Sequence, residues 1–168
     1  MSDLFPDDLL QDAEALLVEL QRLSLRIATA ESCTGGLLIG LLTEIPGASA
    51  TVERGFVTYS DDAKVELLGV GDRLIDEFGA VSDEVARAMA EGALARSPVE
   101  IAISITGIAG PDGGSPEKPV GLVFVAAAPR GRPTLARECR FGSIGRTEIR
   151  LASVRAAIAL ARSALTSS

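Results

Sequence analysis

Two short segments rich in Ile, Val and Ala, residues 100–106 (EIAISIT) and 120–128 (VGLVFVAAA), constrain the fold of this chain most strongly. Apolar runs of this length, bounded by glycine, proline and charge, are typical of strands buried on both faces of a sheet. Hydrophobic periodicity predicts the remaining elements, which are helices at 7–23, 33–45, 62–70, 82–96 and 146–165 and strands at 26–32, 54–60 and 134–141. Strands that alternate with helices predict the α/β class, here a three-layer sandwich with one mixed or mostly parallel sheet covered by helices.

The chain has the size and composition of one folded domain, which we expect to span residues 1–168. With 47% apolar and 23% charged residues it can bury a substantial core, so a disordered chain is excluded. Glycine, proline or charge interrupts the apolar runs well before the ~20 residues that a membrane-spanning helix needs. The first residues, MSDLFPDDLL, are acidic where a secretory signal is basic, which predicts a soluble, cytoplasmic protein with no membrane partner.

Histidine is absent, and its absence excludes the commonest catalytic designs. Ser-His-Asp catalysis, Cys-His catalysis and His-ligated zinc are ruled out, so any general base is a Lys, Tyr, Asp or Glu. The two cysteines, Cys33 and Cys139, offer neither a disulfide framework nor a CxxC metal pair. With 16 basic and 23 acidic residues the net charge is −7, which argues against general nucleic-acid binding.

Lysine is rare in this chain, since only Lys64 and Lys118 are lysines among the 16 basic residues. Arginine stays protonated at any usable pH, whereas a buried lysine can lose its proton and act as a base. Compositional chance is the alternative explanation of the count. Lys118, at the end of a long loop, is expected to be exposed to solvent.

Two glycine-rich segments follow predicted strands. Glu31–Gly36 (ESCTGG) offers amides and hydroxyls that suit a phosphate or carboxylate, and the alternative is a helix cap with tight packing. It lacks both the P-loop pattern and the GxGxxG pattern. Thr106–Gly114 belongs to a long loop at the C-terminal end of a strand, where open α/β sheets place their ligands.

A serine, a tyrosine and a lysine complete the set of candidates. Ser49 lies in a loop between a predicted helix and a predicted strand, where most serines are simply turn residues. Tyr59, the only tyrosine, lies at a strand end and Lys64 in the next helical turn, a spacing that can bring phenol and amine to one cleft. Without histidine, a lysine close to a serine is the remaining route to an activated hydroxyl nucleophile.

Six motifs occur together and in order: TAESCTGG, PGASA, ERGFVTYSDDAK, GAVSDEVARAMAEGA, TGIAGPDGG and EKPVG. In this combination the chain resembles the CinA C-terminal domain family, which contains the nicotinamide mononucleotide amidohydrolases, from about Ala28 to about Arg146. The resemblance implies hydrolysis of the carboxamide of nicotinamide mononucleotide to nicotinate mononucleotide and ammonia, in pyridine nucleotide salvage. It also implies that the chemical step uses no metal or other cofactor, and that the protein is a homo-oligomer.

The same resemblance implies roles for individual residues. By position, Ser49 resembles the nucleophile, Lys64 the base that activates it, and Tyr59 the hydroxyl that orients groups and relays the proton. The positions implied in substrate binding are Ser32, Thr34, Gly35, Gly36, Thr106, Gly107, Gly110 and Arg146. Of these, Arg146 is the expected partner of the phosphate, because a guanidinium makes paired, charge-assisted hydrogen bonds.

Three residues depart from the common pattern of the family, and two other functions are compatible with the motifs. Thr51 and Val52 stand where related sequences often carry an aromatic residue, and Asp61 replaces a common Asn and adds a negative charge near Lys64. The chain has no room for the molybdopterin-binding-like N-terminal domain of many relatives, so we expect the stand-alone form. The alternatives are a non-catalytic nucleotide-binding module that regulates a partner, and an amidase for a related pyridine nucleotide.

Overall fold

The computed structural model describes residues 4–166, which form five β-strands and six α-helices. The strands are β1 (Ile27–Glu31), β2 (Val52–Val57), β3 (Ile101–Gly107), β4 (Leu122–Pro129) and β5 (Leu135–Arg140). The helices are α1 (Asp7–Arg22), α2 (Leu37–Glu44), α3 (Asp61–Leu68), α4 (Asp72–Phe78), α5 (Asp83–Ala95) and α6 (Arg146–Thr166), and a single 3-10 turn, Ala48–Ala50, precedes β2. Within residues 4–166, no helix is both long enough and apolar enough to cross a membrane.

The five strands form one mixed sheet in the order β2-β1-β3-β4-β5. Strand β1 pairs in parallel with β2 and β3, whereas β4 runs antiparallel to both β3 and β5. Glu31, the last residue of β1, lies opposite Val57 of β2 and Ile105 of β3, so the three parallel strands end at the same edge of the sheet. The predicted α/β class with a mixed sheet is confirmed.

Helices cover both faces of the sheet, as the side-chain alternation of β3 requires. Its three isoleucines pack with the apolar residues of α1 and α6 in one core. On the other face Ala102 packs against α5, and the Ser104 hydroxyl donates a hydrogen bond to the Ala86 carbonyl oxygen at 2.6 Å. The sheet therefore has a bulky apolar face and a small-residue face, which lets α5 lie close to it.

Helix α3 is held close to α5 by a glycine. A Cβ atom added to Gly92 of α5 would lie 2.0 Å from the Leu68 carbonyl oxygen of α3, so no other residue fits without displacement of the backbone. This contact matters for the site, because α3 carries Lys64.

The observed helices differ from the predicted ones in two places. Helix α2 begins at Leu37 rather than at residue 33, because Gly35 and Gly36 have φ angles of 57° and 98°, in the left-handed region that a right-handed helix excludes. Helix α4 was not predicted at all. It is a single short, mostly charged segment between two glycines, and Ile75 is its only buried residue.

Candidate active site

A cavity of about 320 Å³ opens at the edge of the sheet where β1, β2 and β3 end. Four separate segments line it. Ser32 follows β1, Tyr59 and Lys64 follow β2, Thr106 lies at the end of β3, and Arg146 begins α6. Open α/β sheets bind their ligands at this edge, so the fold and the cavity indicate the same candidate ligand site.

Lys64 is the most unusual residue of this cavity, because its side chain is 1% exposed. Its Nζ lies 3.0 Å from the Thr58 carbonyl oxygen, 3.3 Å from that of Tyr59 and 3.4 Å from that of Ser60. The fourth neighbour is the Ser32 hydroxyl, whose Oγ is 3.0 Å from Nζ. The amine is thus held by backbone carbonyls against one serine hydroxyl.

Local helix geometry explains how Lys64 reaches this position. The Ser60 side chain accepts a hydrogen bond from the Ala63 amide at 3.0 Å and caps the N-terminus of α3. Lys64 lies in the first turn of that helix, and long helical side chains point back toward the N-terminus. The ammonium group is therefore directed at the carbonyl groups that precede the helix.

Burial lowers the pKa of Lys64, because removal from water disfavours the charged amine. The Asp61 carboxylate, whose Oδ1 is 3.8 Å from Nζ, acts in the opposite direction, as the sequence predicts for a negative charge at this position. Its side chain is 60% exposed, so water screens the attraction. The net effect is that the pKa of Lys64 lies below the ordinary lysine value.

Ser32 is held at the end of β1 by its amide, which donates to the Ile105 carbonyl oxygen at 3.0 Å. The preceding residue, Glu31, is fully buried and anchors the following turn. Its carboxylate accepts hydrogen bonds from the Thr34 hydroxyl (2.7 Å) and from the amides of Leu38 (2.8 Å) and Ile39 (3.0 Å) at the start of α2. Burial raises the pKa of Glu31, and these hydrogen bonds oppose the rise.

The residues that follow Ser32 in the turn lie outside the cavity, except for Cys33. Thr34 is fully buried, and its hydroxyl is used by the Glu31 carboxylate. Among the described residues, Thr34, Gly35 and Gly36 do not line the cavity. In this structure they form the turn that connects Ser32 to α2. Cys33 does line the cavity, but burial raises its thiol pKa to about 11, which leaves it protonated at neutral pH.

Ser49 is not near Lys64, and the prediction that Lys64 activates Ser49 is wrong for a single chain. Ser49 lies on the 3-10 turn before β2 and lines a separate depression of about 560 Å³, with Thr43 and Arg54. Lys64 follows the opposite end of β2, a strand of six residues. At about 3.3 Å per residue, that strand separates the two side chains by roughly 20 Å.

Tyr59 contributes its backbone rather than its phenol to the contact with Lys64. Its carbonyl oxygen accepts from Lys64 and also lies 3.5 Å from the Ser32 hydroxyl. The side chain lines the cavity but is 63% exposed. The structure therefore places the tyrosine ring at the mouth of the cavity.

The other candidates lie together on the far walls of the cavity. Thr106 is buried, and its hydroxyl donates to the Ala80 carbonyl oxygen at 2.8 Å. Gly107, the last residue of β3, and Gly110, in the long loop that follows, also line the cavity. The Arg146 guanidinium also lines it and donates from Nη1 to the Gly110 carbonyl oxygen at 2.7 Å.

Lys118 is not simply exposed, contrary to expectation. From the far end of the glycine-rich loop, its Nζ donates to the carbonyl oxygens of Phe78 (2.5 Å) and Val81 (2.8 Å). Val81 lines the cavity, so Lys118 ties the loop to the connection between α4 and α5. The sequence did not indicate this contact because α4 itself was not predicted.

Comparison with known proteins identifies the family. The CinA C-terminal domain family matches residues 10–165. This chain belongs to the CinA C-terminal domain family. The CinA-like protein of Akkermansia muciniphila is 53% identical over 121 residues, which are 72% of this chain and 29% of that protein. That of Syntrophus aciditrophicus is 47% identical over 152 residues, 90% of this chain and 36% of that protein, so the chain spans about a third of the length of these curated relatives.

Solved structures agree with this assignment. The competence/damage inducible protein CihA from Agrobacterium tumefaciens superposes on the present CinA domain with a TM-score of 0.95 and 54% identity, covering 99% of this chain and 100% of that one. A CinA superfamily protein from Escherichia coli superposes with a TM-score of 0.86 and 34% identity, covering 93% of this chain and 91% of that one. The sheet and its helical layers are therefore those of CinA domains.

Two residues of this CinA domain to which the sequence analysis assigned no role act on the Ser32 turn. Glu31 supports it from within the core, as described above, and Arg150 of α6 binds two of its carbonyl groups. The spacing of Arg150 and Arg146, four residues apart on one helix, was a usable signal, because such residues lie on the same face. Within residues 4–166 there is no group of three or more His, Cys, Asp or Glu side chains that could hold a metal ion.

Proposed function

We propose that this CinA domain hydrolyses the carboxamide of nicotinamide mononucleotide to nicotinate mononucleotide and ammonia. The observation that carries the proposal is the 3.0 Å separation between the Ser32 hydroxyl and the Nζ of buried Lys64, in a chain without histidine. A hydroxyl beside a lysine that can lose its proton is an activated nucleophile. The family resemblance supplies the substrate, and the geometry supports the class of reaction.

The nucleophile in this proposal is Ser32 and not Ser49. Only Ser32 shares a cavity with Lys64, while Ser49 lies near the opposite edge of the sheet. Ser32 also follows directly on a buried strand and is 8% exposed, so its hydroxyl is held in place while still reaching the cavity.

Lys64 acts as general base and then as general acid. As a neutral amine it has two N–H donors, which the Thr58 and Tyr59 carbonyl groups accept, and one lone pair for the Ser32 hydroxyl proton. Ser32 Oγ forms a bond to the carboxamide carbon while its proton passes to Lys64. When the C–N bond breaks, Lys64 returns this proton to the leaving nitrogen, and ammonia departs from a Ser32 acyl ester.

Water completes the cycle. Lys64 takes a proton from a water molecule, the water oxygen attacks the ester carbon, and the bond to Ser32 Oγ breaks as Lys64 reprotonates the hydroxyl. The carboxylic acid of nicotinate mononucleotide is released. An oxyanion forms in both halves of the reaction, and a preformed backbone amide stabilises it without reorganisation. Of the turn residues after Ser32, Cys33 lines the cavity and is positioned to supply such an amide.

Arg146 supports a phosphorylated substrate. It begins α6, where the partial positive charge of a helix N-terminus favours an anion, and its side chain lines the cavity. One guanidinium nitrogen is used by the Gly110 carbonyl group, which leaves further donors for a phosphate. The cavity volume of about 320 Å³ is at the small end of ligand sites and suits a mononucleotide better than a dinucleotide.

Ammonia release measured with four substrates and three proteins tests the proposal. The substrates are nicotinamide mononucleotide, nicotinamide, its riboside and NAD, and the proteins are the wild type, Ser32→Ala and Ser49→Ala. We expect turnover chiefly of the mononucleotide, a loss of at least ~1000-fold in Ser32→Ala, and wild-type rates in Ser49→Ala. Mononucleotide binding without ammonia release by the wild type would refute the proposal and favour a nucleotide-binding module.

A further inference from the structure

The guanidinium of Arg150 donates hydrogen bonds to the turn that carries Ser32. Its Nε donates to the Cys33 carbonyl oxygen and its Nη2 to the Thr34 carbonyl oxygen, both at 3.0 Å. These carbonyl groups belong to the two residues directly after Ser32. We propose that Arg150 is a positioning residue for Ser32, an inference that rests on the proposed function.

The planar Arg150 guanidinium binds two successive carbonyl groups, which restricts the backbone conformation of the turn. A peptide group is rigid, so fixing its carbonyl oxygen also fixes the direction of the following amide. The guanidinium is itself planar and presents its donors at fixed angles, which a lysine ammonium does not. Arg150 therefore sets the orientation of the backbone on the C-terminal side of the nucleophile.

The turn is shaped to receive the arginine. Gly35 has a φ angle of 57°, and a Cβ atom there would lie 3.2 Å from Arg150 Nη2. On the core side, the buried Glu31 carboxylate binds the Thr34 hydroxyl. The turn is thus fixed from the core by an acid and from α6 by an arginine.

The arginines of α6 divide into two groups with different partners. Arg155 pairs with Asp8 and Asp12 of α1, both at 2.9 Å. These are exposed ion pairs between two helices, and such pairs contribute little to folding stability. Arg146 and Arg150 instead bind backbone carbonyl groups of the two loops that line the cavity. Arg155 is therefore a matched control on the same helix.

Arg150 contacts the turn and not the cavity, so its loss should affect the rate more than substrate binding. The reaction depends on the 3.0 Å contact between Ser32 Oγ and Lys64 Nζ, and small displacements of reacting groups are costly. We expect Arg150→Gln to lower kcat by ~10–100-fold while KM changes by less than about threefold. Arg150→Lys should recover only part of the loss, because one ammonium cannot hold two carbonyl groups in a fixed plane.

The experiment compares Arg150→Gln, Arg150→Lys and Arg155→Gln with the wild type by two measurements. The first is kcat and KM for nicotinamide mononucleotide, and the second is the rate at which a fluorophosphonate labels Ser32, followed by mass spectrometry. We expect both rates to fall in the Arg150 variants and to stay unchanged in Arg155→Gln. Thermal melting confirms that each variant is folded, and if Arg150→Gln does not fold, Arg150→Lys decides by the same criteria.

The outcomes separate this inference from the proposed function. A folded Arg150 variant with kcat and labelling rate within about twofold of the wild type would overturn the positioning role. A wild type that labels at Ser32 but does not release ammonia would refute the proposed function, and the labelling rates of the Arg150 variants would still decide the inference. Equal losses in Arg155→Gln would also overturn it, because they would show a general effect of charge on α6.

Discussion

Replacement of Asp61 by Asn gives the most direct test of how Lys64 is tuned. Asp61 is the one acid within ion-pair distance of Lys64 Nζ among the described residues, and Asn has the same shape without the charge. At 3.8 Å, Coulomb's law in water gives about 1 kcal/mol. Because Asp61 is 60% exposed, we take ~0.4–0.8 kcal/mol as the part that acts on the amine.

The sign follows from which form of Lys64 works. Asp61 favours the charged amine, and the base must be neutral, so Asp61→Asn lowers the pKa of Lys64 and enlarges the active fraction. We expect kcat/KM to rise about two- to fourfold on the acid side of the pH–rate profile, where the rate still increases with pH. At high pH, where Lys64 is already neutral, the two proteins should have the same rate.

The assay is ammonia release across the pH range, with Asp62→Asn as the control. Asp62 is the next residue of the same helix turn, so its replacement removes an equal charge and the same favourable interaction with the helix N-terminus. An Asp61→Asn profile that shifts to higher pH, or an equal shift in Asp62→Asn, would refute the idea that Lys64 is the base and that Asp61 acts on it.

Three further predictions concern stability and the shape of the cavity. Because burial lowers the pKa of Lys64, the unfolded state binds more protons than the folded state between the two pKa values. The free energy of unfolding should therefore rise with pH up to the ordinary lysine range and fall as the pH drops through the folded pKa. Lys64→Met should remove this pH dependence, as measured by urea titrations. Lys118→Met should raise KM severalfold with a smaller change in kcat, because it frees the glycine-rich loop from the α4–α5 connection, and an unchanged KM would contradict that role. Gly92→Ala should destabilise the fold by about 1–3 kcal/mol or more through its contact with Leu68, whereas Gly40→Ala in α2 should be neutral or stabilise by up to ~1 kcal/mol, as measured by thermal melting.

The fold was predictable because its strands are distinctive. The segments that became β3 and β4 are buried along almost their whole length, which is why their apolar runs could be located from the sequence. The strand order was not readable, since β1 lies between β2 and β3 through contacts that no local pattern encodes. Helix α4 was not predicted, because a seven-residue, mostly charged segment has too few apolar positions to show a helical hydrophobic periodicity.

The sequence predicted the location of those candidate site residues that lie at or just after the ends of strands. Thr106 and Gly107 end β3 and Gly110 lies in the loop after it. All three line the cavity with Lys64, at the end of the strand where the rule for open sheets predicts ligands. The pairing of Ser49 with Lys64 came from the family resemblance, and within a single chain the two residues line different cavities. The predicted strand 54–60 already lay between Ser49 and Lys64, and a strand carries the chain from one edge of a sheet to the other.

The surroundings of Lys64 combine two features that the proposed general base needs, an oriented amine and a pKa below the ordinary lysine value. A carboxylate in close contact would orient the amine but would also stabilise its charged form. Here three successive carbonyl groups, those of Thr58, Tyr59 and Ser60, orient the amine with partial charges only. The nearest carboxylate, Asp61, stays at 3.8 Å and in water. The amine is therefore oriented without a carboxylate in close contact, while burial lowers its pKa.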